Sequence, residues 1–418
     1  MGDDQGGIGL GVTRGAHRRR PMSASGARGL GVARPRLRWL AAGLSILCAG
    51  VAALAAAGPA AAAHKADPPL AVAPVNIGFP GVDVTPGMDI PDPFVVQLGG
   101  LYIMFSSQET FYGPNVPLMV SDSLTTWPGT ILDALPTLPK WAEPGFTWSP
   151  DVRYLHGRWI MWFNASIAGA AFGATKCIGV ATSISVVGPY VSKAQEPLIC
   201  QLNHLGSIDP RSFVDPQGRL WLVWKSDDNA NLSASTHSSI YIQRLSADGL
   251  HVVGQPTTLL TADQTWEGRI VEAPDMVYAA GHYWLFFSGN WFNEPAYAIG
   301  LEECAGPAGP CSPSSAGPWL ASNGEGAGPG EESLFNDGKR WWMLYAPFAV
   351  SFQTPTPRPA VLARLDFGPH GPEVVAPDTA AWLSAPPAPK PPRFVAACTS
   401  RQFQATCDAW RKRLKTGR

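Results

Sequence analysis

The sequence predicts an all-β fold, a five-bladed β-propeller, on three observations. First, one pattern recurs five times: an acidic or Pro-flanked entrance, a short apolar strand, a turn, and an aromatic-rich strand. Its copies are IPDPFVVQLGGLYIMFSS near residue 92, WSPDVRYLHGRWIMWFNAS near 149, SIDPRSFVDPQGRLWLVWKSD near 209, VEAPDMVYAAGHYWLFFSGN near 272 and GEESLFNDGKRWWMLYAPF near 331. Second, the aromatic after each turn (Tyr102, Trp159, Trp221, Tyr283, Trp341) returns at spacings of 57, 62, 62 and 58 residues. A fixed period with strand–turn–strand content marks a repeat array, and units of this length suit four-stranded sheets closing radially. Third, charged residues are only 15% while Trp, Tyr and Phe reach 10%. That balance belongs to a well-buried, aromatic-rich β protein and not to a disordered chain.

Taken in order, residues 1–63 read as a signal peptide or signal anchor with a basic N-terminal region. Eight arginines precede an apolar run from Trp39 to Ala57, and the segment ends Ala61-Ala62-Ala63, an A-x-A cleavage pattern. Uncleaved, the run is long enough to span a bilayer. Cys48 follows Leu47, not the small residue that a lipid-anchored precursor carries. Residues 64–79 form a Pro- and Ala-rich lead-in, and 80–385 the propeller. Within it, Gly99-Gly100, Asp215-Pro216-Gln217-Gly218 and Asn336-Asp337-Gly338 are hairpin turns. Residues 386–418 are a Pro-rich linker and a basic tail.

Charge is segregated. The two ends hold sixteen of the basic residues, which leaves 64–385 with 15 basic and 29 acidic ones. A nucleic-acid surface needs a basic stripe to displace counterions, so that class of partner is excluded and a neutral carbohydrate fits. Without Cys48, six cysteines remain, an even number suited to an exported, disulfide-bonded chain. Nearest-neighbour pairing expects 177–200, 304–311 and 398–407.

Three acids stand out because each opens the innermost strand of its repeat: Asp92, Asp209 and Glu272. In a propeller such positions converge on the central channel. Like charges held close raise one another's pKa, so one carboxyl can stay protonated while another is ionised, as glycoside hydrolysis requires. The structural alternative is that Asp-Pro pairs merely set the strand entrance, since Pro holds its predecessor in extended geometry. Trp148, Trp266, Trp291 and Phe111 lie where loops meet the channel mouth and could stack on a sugar. Arg269 could bond hydroxyls. Glu267 is a rival acid five residues before Glu272, and Asp151 and Asp275 are expected to bond backbone between blades. No P-loop, nucleotide fingerprint or Ser–His–Asp set appears.

The five-fold repeat with Pro91-Asp92-Pro93, Trp148-Ser149-Pro150-Asp151, Ser207-Ile208-Asp209-Pro210 and Val271-Glu272-Ala273-Pro274 resembles glycoside hydrolase family 43 over roughly residues 80–370. The resemblance implies a five-bladed enzyme acting on arabinose- and xylose-containing glycans with inversion. It makes Asp92 the general base, Asp209 the residue that orients the acid and holds up its pKa, and Glu272 the general acid. An inverting pair stands about 6.5–9.5 Å apart. One departure is visible: where family members often carry a Gly-His near a central metal ion or water, this chain has Gly330-Glu331. An anionic ligand there could hold Ca²⁺, although no cofactor is required.

The expected function is therefore an exported arabinofuranosidase- or arabinanase-like hydrolase, less favourably acting on xylosyl linkages. It would work as a monomer on a polysaccharide or oligosaccharide substrate, with the membrane as partner only if the signal segment stays uncleaved. Two alternatives are a non-catalytic glycan-binding propeller and a retaining β-fructosidase-like enzyme. The second lacks its Asn-Asp-Pro-Asn entrance here.

Overall fold

In three repeats the turn is two residues long and both of them have positive φ: Gly99 and Gly100, His156 and Gly157, Ala280 and Gly281. Two-residue turns of this hand match the right-handed twist of the flanking strands, and glycine takes the position at little cost. Those turns set the register of the hairpins, with Leu98 opposite Leu101, Leu155 opposite Arg158 and Ala279 opposite His282.

The computed structural model describes residues 81–108, 113–170, 175–230, 235–322, 328–347 and 357–375. After β1 (Val82–Asp83), the first sheet runs β2 (Phe94–Leu98), β3 (Leu101–Phe105), β4 (Pro117–Ser121) and β5 (Leu132–Asp133). The second has β6 (Trp148–Leu155), β7 (Arg158–Ser166) and β8 (Lys176–Ser183), with bridges from Ile178 to Ile199 and Thr182 to Val191 along its outer side. The third is β9 (Ser207–Val214), β10 (Leu220–Ser226), β11 (Ser239–Leu245) and β12 (Val252–Thr261). The fourth is β13 (Val271–Ala279), β14 (His282–Gly289), β15 (Ala298–Cys304) and β16 (Cys311–Pro313). The fifth joins β17 (Ser333–Asn336), β18 (Trp341–Tyr345) and β19 (Val361–Gly368), with β20 (Gly371–Val375) also on β19.

The innermost strands β2, β6, β9, β13 and β17 each touch the next, and β17 touches β2. That closed ring is the propeller. Closure uses the start of the chain: β1 pairs with β19, so the last blade is completed by residues that precede the first. Thr85 Oγ1 accepts the Ala360 N–H at 2.7 Å and Asp89 Oδ1 accepts the Arg358 N–H at 2.9 Å, fastening the same seam. The sequence reading had not foreseen this, because two residues of strand carry no periodicity.

The aromatic repeat is packing. Three residues after each marker lies a side chain sealed between blades: Phe105, Trp162, Trp224, Phe286 and Leu344, all at most 1% exposed. The disulfides Cys177–Cys200 and Cys304–Cys311 form as nearest-neighbour pairing expects. Cys398–Cys407, the signal segment 1–63, the lead-in 64–79, the tail 386–418 and Phe111 lie outside the described residues. Among the described residues no helix is long and apolar enough to cross a membrane.

Candidate active site

Each inner strand opens with a residue in left-handed backbone conformation: Asp92 (φ 49°), Ser149 (φ 48°), Asp209 (φ 55°), Ala273 (φ 46°) and Glu331 (φ 56°). The extended geometry expected before proline therefore does not hold at Asp92 and Asp209. Bulges in β6, β9 and β13 produce the kink, where the register with the second strand shifts. Non-glycine residues there cost of order 1–3 kcal/mol each and persist only when their surroundings hold them. Here the holding groups are hydrogen bonds passed from blade to blade. Glu331 Oε2 accepts the Asp92 N–H (3.1 Å), Ser107 Oγ the Ser149 N–H (2.8 Å), Asn164 Oδ1 the Asp209 N–H (3.1 Å), Asp209 Oδ2 the Ala273 N–H (3.0 Å) and Ser288 Oγ the Glu331 N–H (2.9 Å).

This alignment corrects the expected register. Asp92, Asp209 and Glu331 are the equivalent positions, and Glu272 sits one residue ahead of its counterpart, Ala273. Trp148 and Ile208 share the position of Glu272. Both sets nonetheless face one cavity of about 100 Å³, lined by Asp92, Asp209, Glu272 and Glu331 with Trp148, Phe292, Tyr297 and Arg358. Bulged strands present two successive side chains to the same side, which is why strict alternation failed to predict it.

The four carboxylates have different partners. Glu272 accepts the Lys225 ammonium on Oε2 at 2.9 Å and the Tyr297 hydroxyl on Oε1 at 2.8 Å. Lys225 is 1% exposed. Burial works against its charge, but Glu272, Asp227 and Asp209 more than offset this and raise its pKa. Burial and the charge of Glu272 push the Tyr297 phenol well up, so it remains a hydroxyl donor. Tyr297 gets this close because residue 330 is glycine: a Cβ there would lie 2.0 Å from its ring. Asp209 accepts the Ser149 hydroxyl on Oδ1 at 2.8 Å as well as the Ala273 N–H. Burial and then the charge of Asp209 raise the Asp92 pKa to about 7, against the pull of the Ser107 hydroxyl, Arg358 and Arg211.

Glu331 is engaged twice. Its Oε1 accepts from Arg358 and its Oε2 from Asp92, and Arg358 is 4% exposed with its guanidinium 5.4 Å from the Phe292 ring. A cation beside Glu331 would have to displace a buried guanidinium, so the donor set does not fit the expected Ca²⁺. Among the described residues no three His, Cys, Asp or Glu side chains cluster in a metal-holding way.

Trp148 reaches the cavity, with the Lys176 ammonium 4.3 Å from its ring. Trp266 does not line it: its ring packs on Phe287 and over Gly289. Trp291 does not line the cavity, although its neighbour Phe292 does, and Arg269 lies outside the lining as well. Glu267 caps the 3-10 turn Thr265–Glu267, accepting the N–H groups of Asp263 and Gln264 at 2.8 and 2.9 Å. Asp275 bonds backbone between blades as expected, accepting the Leu334 N–H at 2.7 Å. Lys225, Tyr297, Phe292 and Arg358 were missed. Of these only Lys225 had a signal, as a buried charge directly after the apolar run LWLVW of its strand.

Fold and cavity together define a five-bladed propeller with a carboxylate-lined pocket at one end of its axis. Residues 85–371 match the family model described as glycosyl hydrolases family 43, and the chain belongs to that family. The extracellular endo-alpha-(1->5)-L-arabinanases 1 and 2 of Bacillus subtilis (strain 168) are each 24% identical to it, over 47% and 57% of this chain. The chain spans only about half of those relatives, 55% and 53% of their lengths. A thermostable family-43 glycoside hydrolase superposes with a TM-score of 0.61 at 24% identity, covering 74% of this chain and 99% of that one. An alpha-L-arabinofuranosidase from Lactobacillus brevis gives 0.58 at 20%, covering 70% and 96%. These two structures speak for the fold.

Proposed function

We propose that the chain is an exported hydrolase that cleaves arabinofuranosyl linkages, and less favourably xylosyl ones, by an inverting acid–base mechanism. The observation that carries this is the convergence of Asp92, Asp209 and Glu272 on one small cavity in a member of glycosyl hydrolases family 43. The arabinanase names of the relatives, and their being called extracellular, support the substrate and the export. A cavity of about 100 Å³ suits one sugar ring better than several.

In the mechanism, the Asp92 carboxylate takes a proton from water as that water attacks the anomeric carbon. Ser107 Oγ donates to Asp92 Oδ2 and fixes the carboxylate. Glu272 gives its proton to the departing oxygen. Tyr297 and Lys225 hold its two oxygens in place. Asp209 acts as positioning residue, because its bond to the Ala273 N–H fixes the backbone next to Glu272. The glycosidic C–O bond breaks as the hydroxyl of the water joins the anomeric carbon; its proton ends on Asp92 and the proton from Glu272 on the leaving alcohol.

A second reading exchanges the two roles. It is favoured by the pKa of Asp92, raised to about 7. The non-catalytic propeller is the remaining alternative. Release of pentose from arabinan, arabinoxylan and arabinogalactan oligosaccharides, measured beside Glu272→Gln, tests the proposal. Release by the wild type and its loss in the variant are expected. A folded protein that releases nothing overturns it.

A further inference from the structure

The axis has a second mouth. Two positions beyond each kink lie Phe94, Asp151, Arg211, Asp275 and Ser333. The first four meet in a plug. The Arg211 guanidinium lies 4.9 Å from the Phe94 ring, with Asp151 and Asp275 each 3.9 Å from its nitrogens. Below the plug opens a funnel of about 600 Å³, lined by the far halves of the same five strands, Arg153, Tyr154 and Tyr278 among them, and by Trp341 of β18.

The floor of this funnel is polar and balanced in charge: Arg211 lies between Asp151 and Asp275, and Arg153 stands beside them on the wall, less buried than the other three. A small cation there would meet Arg211 and Arg153, and a small anion would meet Asp151 and Asp275. A neutral ligand whose groups donate and accept together meets neither repulsion. At the rim, Tyr154 and Tyr278 are 55% and 38% exposed. They lean on Trp159 and Tyr283, with ring centroids 5.1 and 4.8 Å apart, and so are held as fixed apolar faces. Hydroxyls for the floor and C–H faces for the rims are the two sides of a sugar.

We infer that the funnel opposite the active site is a second, non-catalytic binding site for an oligosaccharide, with Tyr154 and Tyr278 as stacking rims and the wall residue Arg153 as hydroxyl partner. Naming a pentose glycan as its ligand rests on the proposed function. The presence of a sugar site does not. Such a site would hold the enzyme on an insoluble polysaccharide while the other face cleaves it.

The test is calorimetric titration of the Glu272→Gln protein with arabino- and xylo-oligosaccharides. Two sites per chain are expected, falling to one in the same protein carrying Tyr154→Ala and Tyr278→Ala. With Glu272 intact, the double tyrosine variant should cleave short soluble oligosaccharides within twofold of wild type but lose about tenfold in retention on insoluble polysaccharide. Both tyrosines are exposed, and an unchanged circular dichroism melt checks the fold. A single site, or two sites indifferent to the tyrosines, overturns the inference even if hydrolysis is normal. Tyrosine-dependent binding without any hydrolysis keeps the inference and overturns the proposed function. Neither binding nor hydrolysis overturns both.

Discussion

Replacing Arg358 with Met should move the acidic limb of the pH–rate profile upward and destabilise the fold. Arg358 and Glu331 pair with side-chain exposures of 4% and 10%. Removing one partner of a buried pair leaves a charge uncompensated and costs about 3–5 kcal/mol. Arg358 is also one of the groups that pull the Asp92 pKa down from where burial and Asp209 push it. An opposite charge at close range shifts a carboxyl by about 1–3 units. Arg358 acts across Glu331, so the lower end of that range applies. As general base Asp92 must be ionised, and kcat/KM should rise with pH through about 7 in the wild type. In Arg358→Met the limb should move up by about one pH unit. The double variant Arg358→Met with Glu331→Gln should recover most of the stability. The assays are kcat/KM across pH on an arabino-oligosaccharide and urea unfolding. A limb that stays put or moves to lower pH refutes the electrostatic reasoning.

Tyr297→Phe removes one buried hydrogen bond to the Glu272 carboxyl, worth about 1.5–3 kcal/mol, so kcat/KM should fall at least tenfold and the melting temperature by several degrees. A loss under twofold would remove Tyr297 from the site. Burial raises Asp275 to about 7 and Glu332 to about 8. Groups raised in the folded state give stability that is complete below their unfolded pKa and lost as pH rises through the folded value. The melting temperature should therefore fall between pH 5 and pH 8, and a rise over that window contradicts the assignment. Loop closure makes Cys177–Cys200, which spans 23 residues, worth about 3 kcal/mol and Cys304–Cys311, which spans 7, about 2. Removing Cys177 and Cys200 together should lower the urea midpoint more than removing Cys304 and Cys311.

The architecture was legible because it is written in repetition. Turn residues such as 99–100 and 280–281 return in three blades and sealed aromatics such as Trp162 and Trp224 in four, so the repeats confirm one another. The site was legible only as far as its acids. Asp92 and Asp209 announce themselves beside prolines, but the bulge that brings Glu272 into the same cavity from the preceding position is a backbone event without a composition of its own. Trp291 and Phe292 illustrate the resulting uncertainty of one residue: neighbours in a loop, of which only Phe292 meets the cavity. Arg358 and Tyr297 were invisible because their importance comes from partners 27 and 25 residues away in sequence, Glu331 and Glu272. The left-handed Asp92 was misjudged for the same reason, since the Glu331 carboxylate holding its N–H arrives from the neighbouring last blade, 239 residues away in sequence.

The assignment of acid and base is the centre of the account, and leaving-group dependence tests it directly. Glu272→Gln and Asp92→Asn should be compared on a natural arabino-oligosaccharide and on an aryl arabinofuranoside with a good leaving group. The account predicts that Glu272→Gln loses activity on the natural linkage but keeps most of it on the aryl glycoside, which needs little protonation. Asp92→Asn should be inactive on both. The opposite pattern, with Asp92→Asn spared by the good leaving group and Glu272→Gln inactive throughout, would contradict it and establish the exchanged roles.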